Sequence, residues 1–220
     1  MTEQNKLHLE QLLPAEIEKR SFEIIGEELK ARQIELLPEQ EAVIKRAIHT
    51  TADFDYAKNL QFSSGAVFAA IEALRQGCSI VTDTNMARAG INQAALAQLG
   101  GRVLCFMGDE DVARAAKEAG TTRATASMEK AAASGEDFIY AVGNAPTALI
   151  RLYELVKEGR IHPKLIIGVP VGFVNVEPSK EWILTLKDTP YIVARGRKGG
   201  SNVAAAICNA LLYQATGRVL

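Results

Sequence analysis

Phe138-Ile139-Tyr140-Ala141-Val142-Gly143-Asn144-Ala145-Pro146-Thr147 decides how this chain folds. Its first five residues are an unbroken apolar run, the pattern of a short strand buried on both faces. Gly143 and Asn144 turn the chain. Pro146 suits the first turn of a helix, where the N–H it lacks would have no intrahelical partner. Strand, glycine turn and helix in this order make half of a βαβ unit. A parallel sheet follows if the pattern repeats.

It repeats on both sides. Short apolar runs recur at Ser79-Ile80-Val81-Thr82, Val103-Leu104-Cys105-Phe106, Leu165-Ile166-Ile167-Gly168-Val169 and Tyr191-Ile192-Val193-Ala194. Alanine-rich helical stretches separate them, over 66–76, 91–99, 112–119, 123–133, 146–158 and 201–214. Two helices come earlier. One covers 14–32, with Ile17, Ile24, Ile25 and Leu29 as its apolar side. The other runs from 38 to about 50, with Val43, Ile44, Ala47 and Ile48 as its stripe. The pattern predicts one α/β domain over residues 1–220, a doubly wound sheet of about five parallel strands. Two successive helices, 112–119 and 123–133, break the alternation, so one of them lies outside the basic repeat.

Composition narrows the partners. The net charge is −1 with 23% charged residues, which gives no basis for binding nucleic acid or an anionic membrane. Aromatic residues make up 6%, too few for a base-stacking surface. Residues 1–12 lack the apolar core of a secretory signal. The longest apolar run, 165–174, is interrupted by Gly168, Pro170 and Gly172 and is too short to span a bilayer. Cys78, Cys105 and Cys208 are widely spaced with no C-x-x-C pair, and read as small buried hydrophobes in a reducing cytoplasm.

Ligands of doubly wound sheets bind beyond the carboxyl ends of the strands. There the sequence places Asp83-Thr84-Asn85-Met86, Met107-Gly108-Asp109, Gly143 to Thr147, Pro170-Val171-Gly172-Phe173-Val174, and Arg195-Gly196-Arg197-Lys198-Gly199-Gly200-Ser201. Gly143 allows close backbone approach, and Asn144 and Ala145 would leave free N–H groups at a helix start, an anion site. An ordinary turn capped by Asn144 is the plain alternative. The last loop sets three cations among three glycines, which favours carboxylate or phosphate oxygens; a solvated basic turn is its alternative.

Several chemistries find no support. G-x-x-x-x-G-K-[ST] and G-x-G-x-x-G are absent, which disfavours ATP and NAD. G-x-S-x-G is absent, and Cys105 falls inside a strand, which leaves a nucleophilic hydrolase with little. No His/Asp/Glu group has metal-ligand spacing.

His49 is the histidine best placed for proton chemistry. His8 lies in the N-terminal tail and His162 precedes a proline in a turn. Near a helix C-terminus the dipole favours the imidazolium by about 0.3–1 kcal/mol, while burial under an apolar ligand opposes it. Such a group can give and take a proton near neutrality, though an exposed histidine stabilised by the helix end is the bland alternative. Ser21, inside the apolar side of the first helix, either bonds back to its own helix or aims a donor at a ligand. Together these residues suit a large organic ligand with peripheral carboxylates, handled by proton chemistry without redox.

Taken in order, the stretches resemble the precorrin-8X methylmutases of vitamin B12 biosynthesis. The resemblance rests on Ile17-Glu18-Lys19-Arg20-Ser21-Phe22-Glu23-Ile24-Ile25, Ile48-His49, Phe62-Ser63, Asp83 with Met86 and Gly90, Thr122-Arg123, and Val142 to Leu149. It continues through Gly168 to Val174, Glu177 with Ser179-Lys180, and Gly196 to Ser201. It implies a three-layer, flavodoxin-like αβα fold and a homodimer with shared active sites. It also implies an isomerase that moves a methyl group from C-11 to C-12 of a corrin precursor, giving hydrogenobyrinic acid or, from the cobalt form, cobyrinic acid. By resemblance His49 is the catalytic histidine, Ser21 the helix-borne serine, and Arg123 the arginine supplied across the dimer. Substrate contacts are expected at Ser21, Asp83, Met86, Arg123, Gly143, Asn144, Arg197, Lys198, Gly199 and Ser201. No protein-bound metal or cofactor is expected, since any cobalt belongs to the tetrapyrrole substrate. Thr50-Thr51-Ala52-Asp53 replaces the smaller residues expected after the histidine, so its hydrogen-bond partner stays open. A corrinoid carrier without catalysis and a nucleotide-dependent α/β enzyme are the rival classes.

Overall fold

The computed structural model describes residues 12–218; His8 and most of the segment read for a secretory signal lie outside the described residues. Helix α1 (Pro14–Ala31) opens on a proline, and Glu16 in its first turn accepts from the N–H of Leu13 at 3.2 Å. Helix α2 (Pro38–Thr51) also opens on a proline and ends at Ala52, whose left-handed φ of 53° stops it. Then follow α3 (Tyr56–Asn59), β1 (Leu60–Phe62), α4 (Ala66–Arg75), β2 (Ile80–Thr82), α5 (Asn85–Gly90), α6 (Gln93–Gln98) and β3 (Val103–Leu104). The rest comprises α7 (Glu110–Glu118), α8 (Arg123–Ala133), β4 (Ile139–Val142), α9 (Pro146–Lys157), β5 (Leu165–Gly168), α10 (Val176–Leu184), β6 (Tyr191–Ala194) and α11 (Ser201–Ala215).

The strands form one sheet in the order β1-β6-β5-β4-β2-β3. Strands β2 to β6 are parallel, and β1 runs antiparallel along β6 with Leu60 opposite Ala194. Alternate residues face opposite layers. Ile139, Ala141, Leu165, Ile167, Ile192 and Ala194 join the core under α2, α4 and α11. Tyr140, Val142, Ile166 and Val193 join the core under α8, α9 and α10. The result is a three-layer αβα fold. α7 lies outside the repeat, packing Val112 and Ala116 against Ala126 of α8.

The structure corrects four details. The sheet has a sixth strand, β1, an antiparallel edge of a kind common on parallel sheets. On α1 only Ile25 and Leu29 are buried, while Ile17 and Ile24 stay 52% and 38% exposed, because the helix packs chiefly on α2. The helix expected over 91–99 is shorter, α6 over 93–98, since Asn92 caps it by accepting from the N–H of Ala95 at 3.0 Å. Of the cysteines only Cys208 is buried; Cys78 and Cys105 lie at strand ends and are partly exposed. No described helix is long and apolar enough to cross a membrane.

β2 lies between β3 and β4. The chain leaves β2 for β3 on one side and returns to β4 on the other. Strand order therefore reverses between β2 and β4, and the crevice expected of this fold lies between the loops that follow Thr82 and Val142.

Candidate active site

That crevice is closed by the chain itself. Asp83 is 1% exposed. Its Oδ1 accepts from the N–H of Gly143 at 2.9 Å, and its Oδ2 from Asn144 at 2.8 Å and Ala145 at 2.6 Å. The N–H groups expected to be free for an outside anion are thus taken by a carboxylate from the neighbouring strand end, and Asp83 stands behind the sheet edge. Burial pushes its carboxyl up; the N–H bonds pull the other way without cancelling the effect. Gly143 permits a close approach, but by α11: a Cβ there would lie 2.7 Å from Ser201 Cα. The Ser201 and Thr84 hydroxyls are 2.8 Å apart, and Thr84 caps α5 by accepting from the N–H of Ala87. Asp83, Gly143, Asn144 and Ser201 therefore form one cluster. Asn144 faces solvent and Met86, on α5, is 72% exposed.

The basic loop lies against this cluster. A Cβ on Gly199 would fall 2.0 Å from Val169 O, so only glycine fits there. The N–H of Gly200 donates to that same carbonyl at 2.9 Å. Each cation of the loop has a carboxylate partner. Arg195 reaches Glu181 at 2.8 and 2.9 Å, Arg197 reaches Glu177 at 2.7 Å, and Lys198 reaches Asp53 and Asp55 at 2.6 Å each. The hydrogen bonds to Asp53 and Asp55 hold the Lys198 ammonium above the usual lysine range. These pairs sit in water, where salt and competing carboxylates exchange them readily. Arg197 also lies 5.4 Å from the ring of Phe173, which is 80% exposed. With its chain neighbour Val174, also 80% exposed, it leaves an apolar border beside Arg197.

His49 is exposed on the α1–α2 layer. Its ring stacks on Phe22 with centroids 5.2 Å apart and planes 25° apart. No hydrogen bond to its imidazole occurs among the described residues. Ser21, next to Phe22, donates to Ile17 O at 2.8 Å, the back-bond to its own helix. The side chains after His49 turn elsewhere: Thr51 donates to Ala47 O and accepts from the N–H of Asp53. Asp53 is the residue that Lys198 grips, so the end of α2 is tied to the glycine loop.

One charged residue escaped the sequence reading. Arg46 is 7% exposed and pairs with Glu18, which also accepts from Arg218 at 3.0 Å. The Arg46 guanidinium lies 4.8 Å from the Phe22 ring, so His49 and Arg46 share that ring. Its Nε and Nη2 are buried without partners. Burial raises the Glu18 carboxyl, but the Arg46 bond and the charges of Arg46, Arg218 and His49 outweigh this and hold it below the usual range. The signal was available: Arg46 lies three residues after Val43, on the buried face of the helix.

Arg123 opens α8 in the layer opposite His49 and is exposed. The Thr122 hydroxyl before it lies 2.9 Å from that of Thr147 on α9, which sets Arg123 near the loop after β4. No cluster of three His, Cys, Asp or Glu residues suited to a metal occurs among the described residues. A groove of about 620 Å³ between α7, α8 and α9 contains none of the candidate residues.

The family model for precorrin-8X methylmutase matches residues 16–214. The cobalt-precorrin-8 methylmutase of Salmonella typhimurium is 47% identical over 204 residues, covering 91% of this chain and 95% of that protein. That of Leptospira interrogans is 43% identical over 209 residues, covering 92% and 94%. A solved precorrin-8x methyl mutase from Thermus thermophilus superposes with a TM-score of 0.85 at 38% identity, covering 94% of this chain and 98% of that one.

Proposed function

The chain belongs to the precorrin-8X methylmutase family, and from that premise we propose how it acts. It is an isomerase that moves a methyl group within a tetrapyrrole of cobalamin biosynthesis. The methyl passes from C-11 to C-12 of precorrin-8 or its cobalt form. Relatives at 43% and 47% identity bear the cobalt name, which supports cobalt-precorrin-8 as the natural substrate and cobyrinic acid as its product. The cobalt is cargo, and the chain needs no cofactor of its own. Its place is the cytoplasm.

The observation that carries the mechanism is His49, exposed and held by its stack on Phe22 while its nitrogens stay free of hydrogen bonds among the described residues. A sigmatropic shift carries the methyl and its bonding electrons from one ring carbon to the next. The imidazolium protonates a ring nitrogen, which draws charge from the conjugated system as the bond migrates, and takes the proton back afterwards. Mass and oxidation state are unchanged. Ser21 faces the macrocycle from the same helix as Phe22. Arg197, Lys198, Gly199 and Ser201 receive the acetate and propionate groups, exchanging exposed ion pairs for substrate carboxylates.

His49 and Arg123 lie in opposite layers. A site that uses both takes them from two chains, which supports a homodimer with shared active sites. Met86, Phe173 and Val174 supply apolar cover for the ring. Arg123→Ala is expected to raise the substrate KM while leaving the melting temperature within a few degrees, because exposed side chains contribute about ±0.5 kcal/mol. An unchanged KM removes Arg123 from the site.

Anaerobic incubation with precorrin-8 and with cobalt-precorrin-8, followed by absorption and mass, tests the whole reading. The spectrum should move to that of the rearranged corrin at constant mass, faster for the cobalt form. Binding without rearrangement would revive the carrier, which the enzyme names of the relatives do not favour. The nucleotide alternative faces a carboxylate, Asp83, at the start of α9 where a phosphate would sit, and it predicts a thermal shift with ATP or NAD.

A further inference from the structure

Lys180, on α10, is the only fully buried lysine among the described residues, at 0% exposure. Its Nζ donates to the carbonyls of Gly196 at 2.7 Å and Lys198 at 2.8 Å. Glu177 is the acid whose charge reaches it, and Glu177 is itself held by Arg197. Burial pushes the ammonium down to about 8, against the pull of Glu177. A buried cation of this kind is costly, and an apolar side chain of similar volume often serves stability as well or better. What a methionine there could not do is hold two carbonyls.

Those carbonyls decide where the rest of the loop points. The described chain has no cis peptide bond. In a trans unit the C=O and the following N–H face opposite ways. With the oxygens of Gly196 and Lys198 drawn inward, the N–H groups of Arg197 and Gly199 turn outward, and among the described residues neither has an acceptor. Gly196, at φ 79°, and Gly200, at φ 136°, make the loop free to adopt other shapes. The bonds of Gly172 N–H to Arg197 O at 3.3 Å and of Gly200 N–H to Val169 O fix other points of the loop but neither of these two carbonyls.

We propose that Lys180 is a positioning residue for the methyl transfer: it fixes the 195–201 loop so that the outward N–H groups of Arg197 and Gly199, with the cations beside them, meet the carboxylates of the tetrapyrrole. This rests on the reading of that loop as carboxylate-binding. Lys180 does not touch substrate, so its loss acts on binding more than on chemistry.

The test is steady-state turnover of whichever precorrin-8 form the wild type converts, with Lys180→Met and Lys180→Gln. Lys180→Met should raise KM by about tenfold or more while kcat stays within about threefold, the mark of lost uniform binding. Lys180→Gln restores N–H donors without the charge and should recover part of the KM. A folded Lys180→Met with wild-type KM overturns the assignment, even if it melts lower, since that is the signature of a purely structural lysine. If neither variant folds, amide exchange of wild type over 195–201 decides: it slows when the corrin product is added, or the assignment falls. A wild type that converts neither form overturns the proposed function itself, and this inference with it.

Discussion

His49→Ala should fold as the wild type does and turn over substrate at least about a hundredfold more slowly, the usual contribution of a positioned acid–base group. Folding is spared because the imidazole is exposed and its one ring contact is Phe22. Losing such a stack costs about 0.5–1.5 kcal/mol. Turnover is not spared, because His49 is the one histidine among the described residues of the α1–α2 layer. Glu18 is held low beside Arg46, and the described acids further along, Asp53 and Asp55, are engaged by Lys198. Single-turnover kinetics with saturating substrate separate the proton step from product release. Near-normal turnover in the alanine variant would take His49 out of the mechanism and leave the family's chemistry to another group.

The second large effect is on stability. Asp83→Ala removes the acceptor of three buried or half-buried N–H groups at the start of α9. Hydrogen bonds to a charged group contribute about 1.5–3 kcal/mol each, and unpaired buried donors are costly to leave. The bonds are not additive, and burial of the carboxylate offsets part of the gain, so a loss of roughly 3–5 kcal/mol is expected. At this chain length each kcal/mol lowers the melting temperature by about 2–4 °C, so the drop should reach about 10 °C. Denaturant titration should show a lower midpoint at unchanged slope. A variant that melts like wild type would mean that the carboxylate is open to ligand, as the sequence reading had it, and is not a structural acceptor.

The contrast between these residues shows what a linear sequence can carry. β4, β5 and β6 were plain because strands buried on both faces need no partner to be recognised. β1 was not: it has three residues, of which only Leu60 is fully buried, and it exists because β6 offers it an edge. The role of Asp83 was hidden for a similar reason. Its partners lie 60 to 62 residues away, and only the crossing from β3 to β4 brings them beside it. The same distance hides what packs on Gly143, whose lack of a side chain admits Ser201 of α11. Charges in the last loop were legible as charges, but their neutralisation by Glu177, Glu181, Asp53 and Asp55 was not, because salt partners on neighbouring elements follow no spacing rule. α10 is not legible as a helix, so Lys180, named in the resemblance, could not be placed under the loop it holds.

The Asp83 contacts also bear on how long the sheet edge lasts once made. They close a loop of about 60 residues, and closure entropy has to be met before such a contact can form. A bond of this kind belongs late on the folding path, after β4 has docked beside β2. Interactions absent from the transition state act on escape from the native basin and hardly on entry to it. The carboxylate is then a kinetic latch: in a chevron plot Asp83→Ala should lift the unfolding limb and leave the refolding limb nearly in place, and a shifted refolding limb would put the latch in the nucleus instead. A sheet that must keep its loops in register while a large ring enters and leaves gains persistence from this carboxylate.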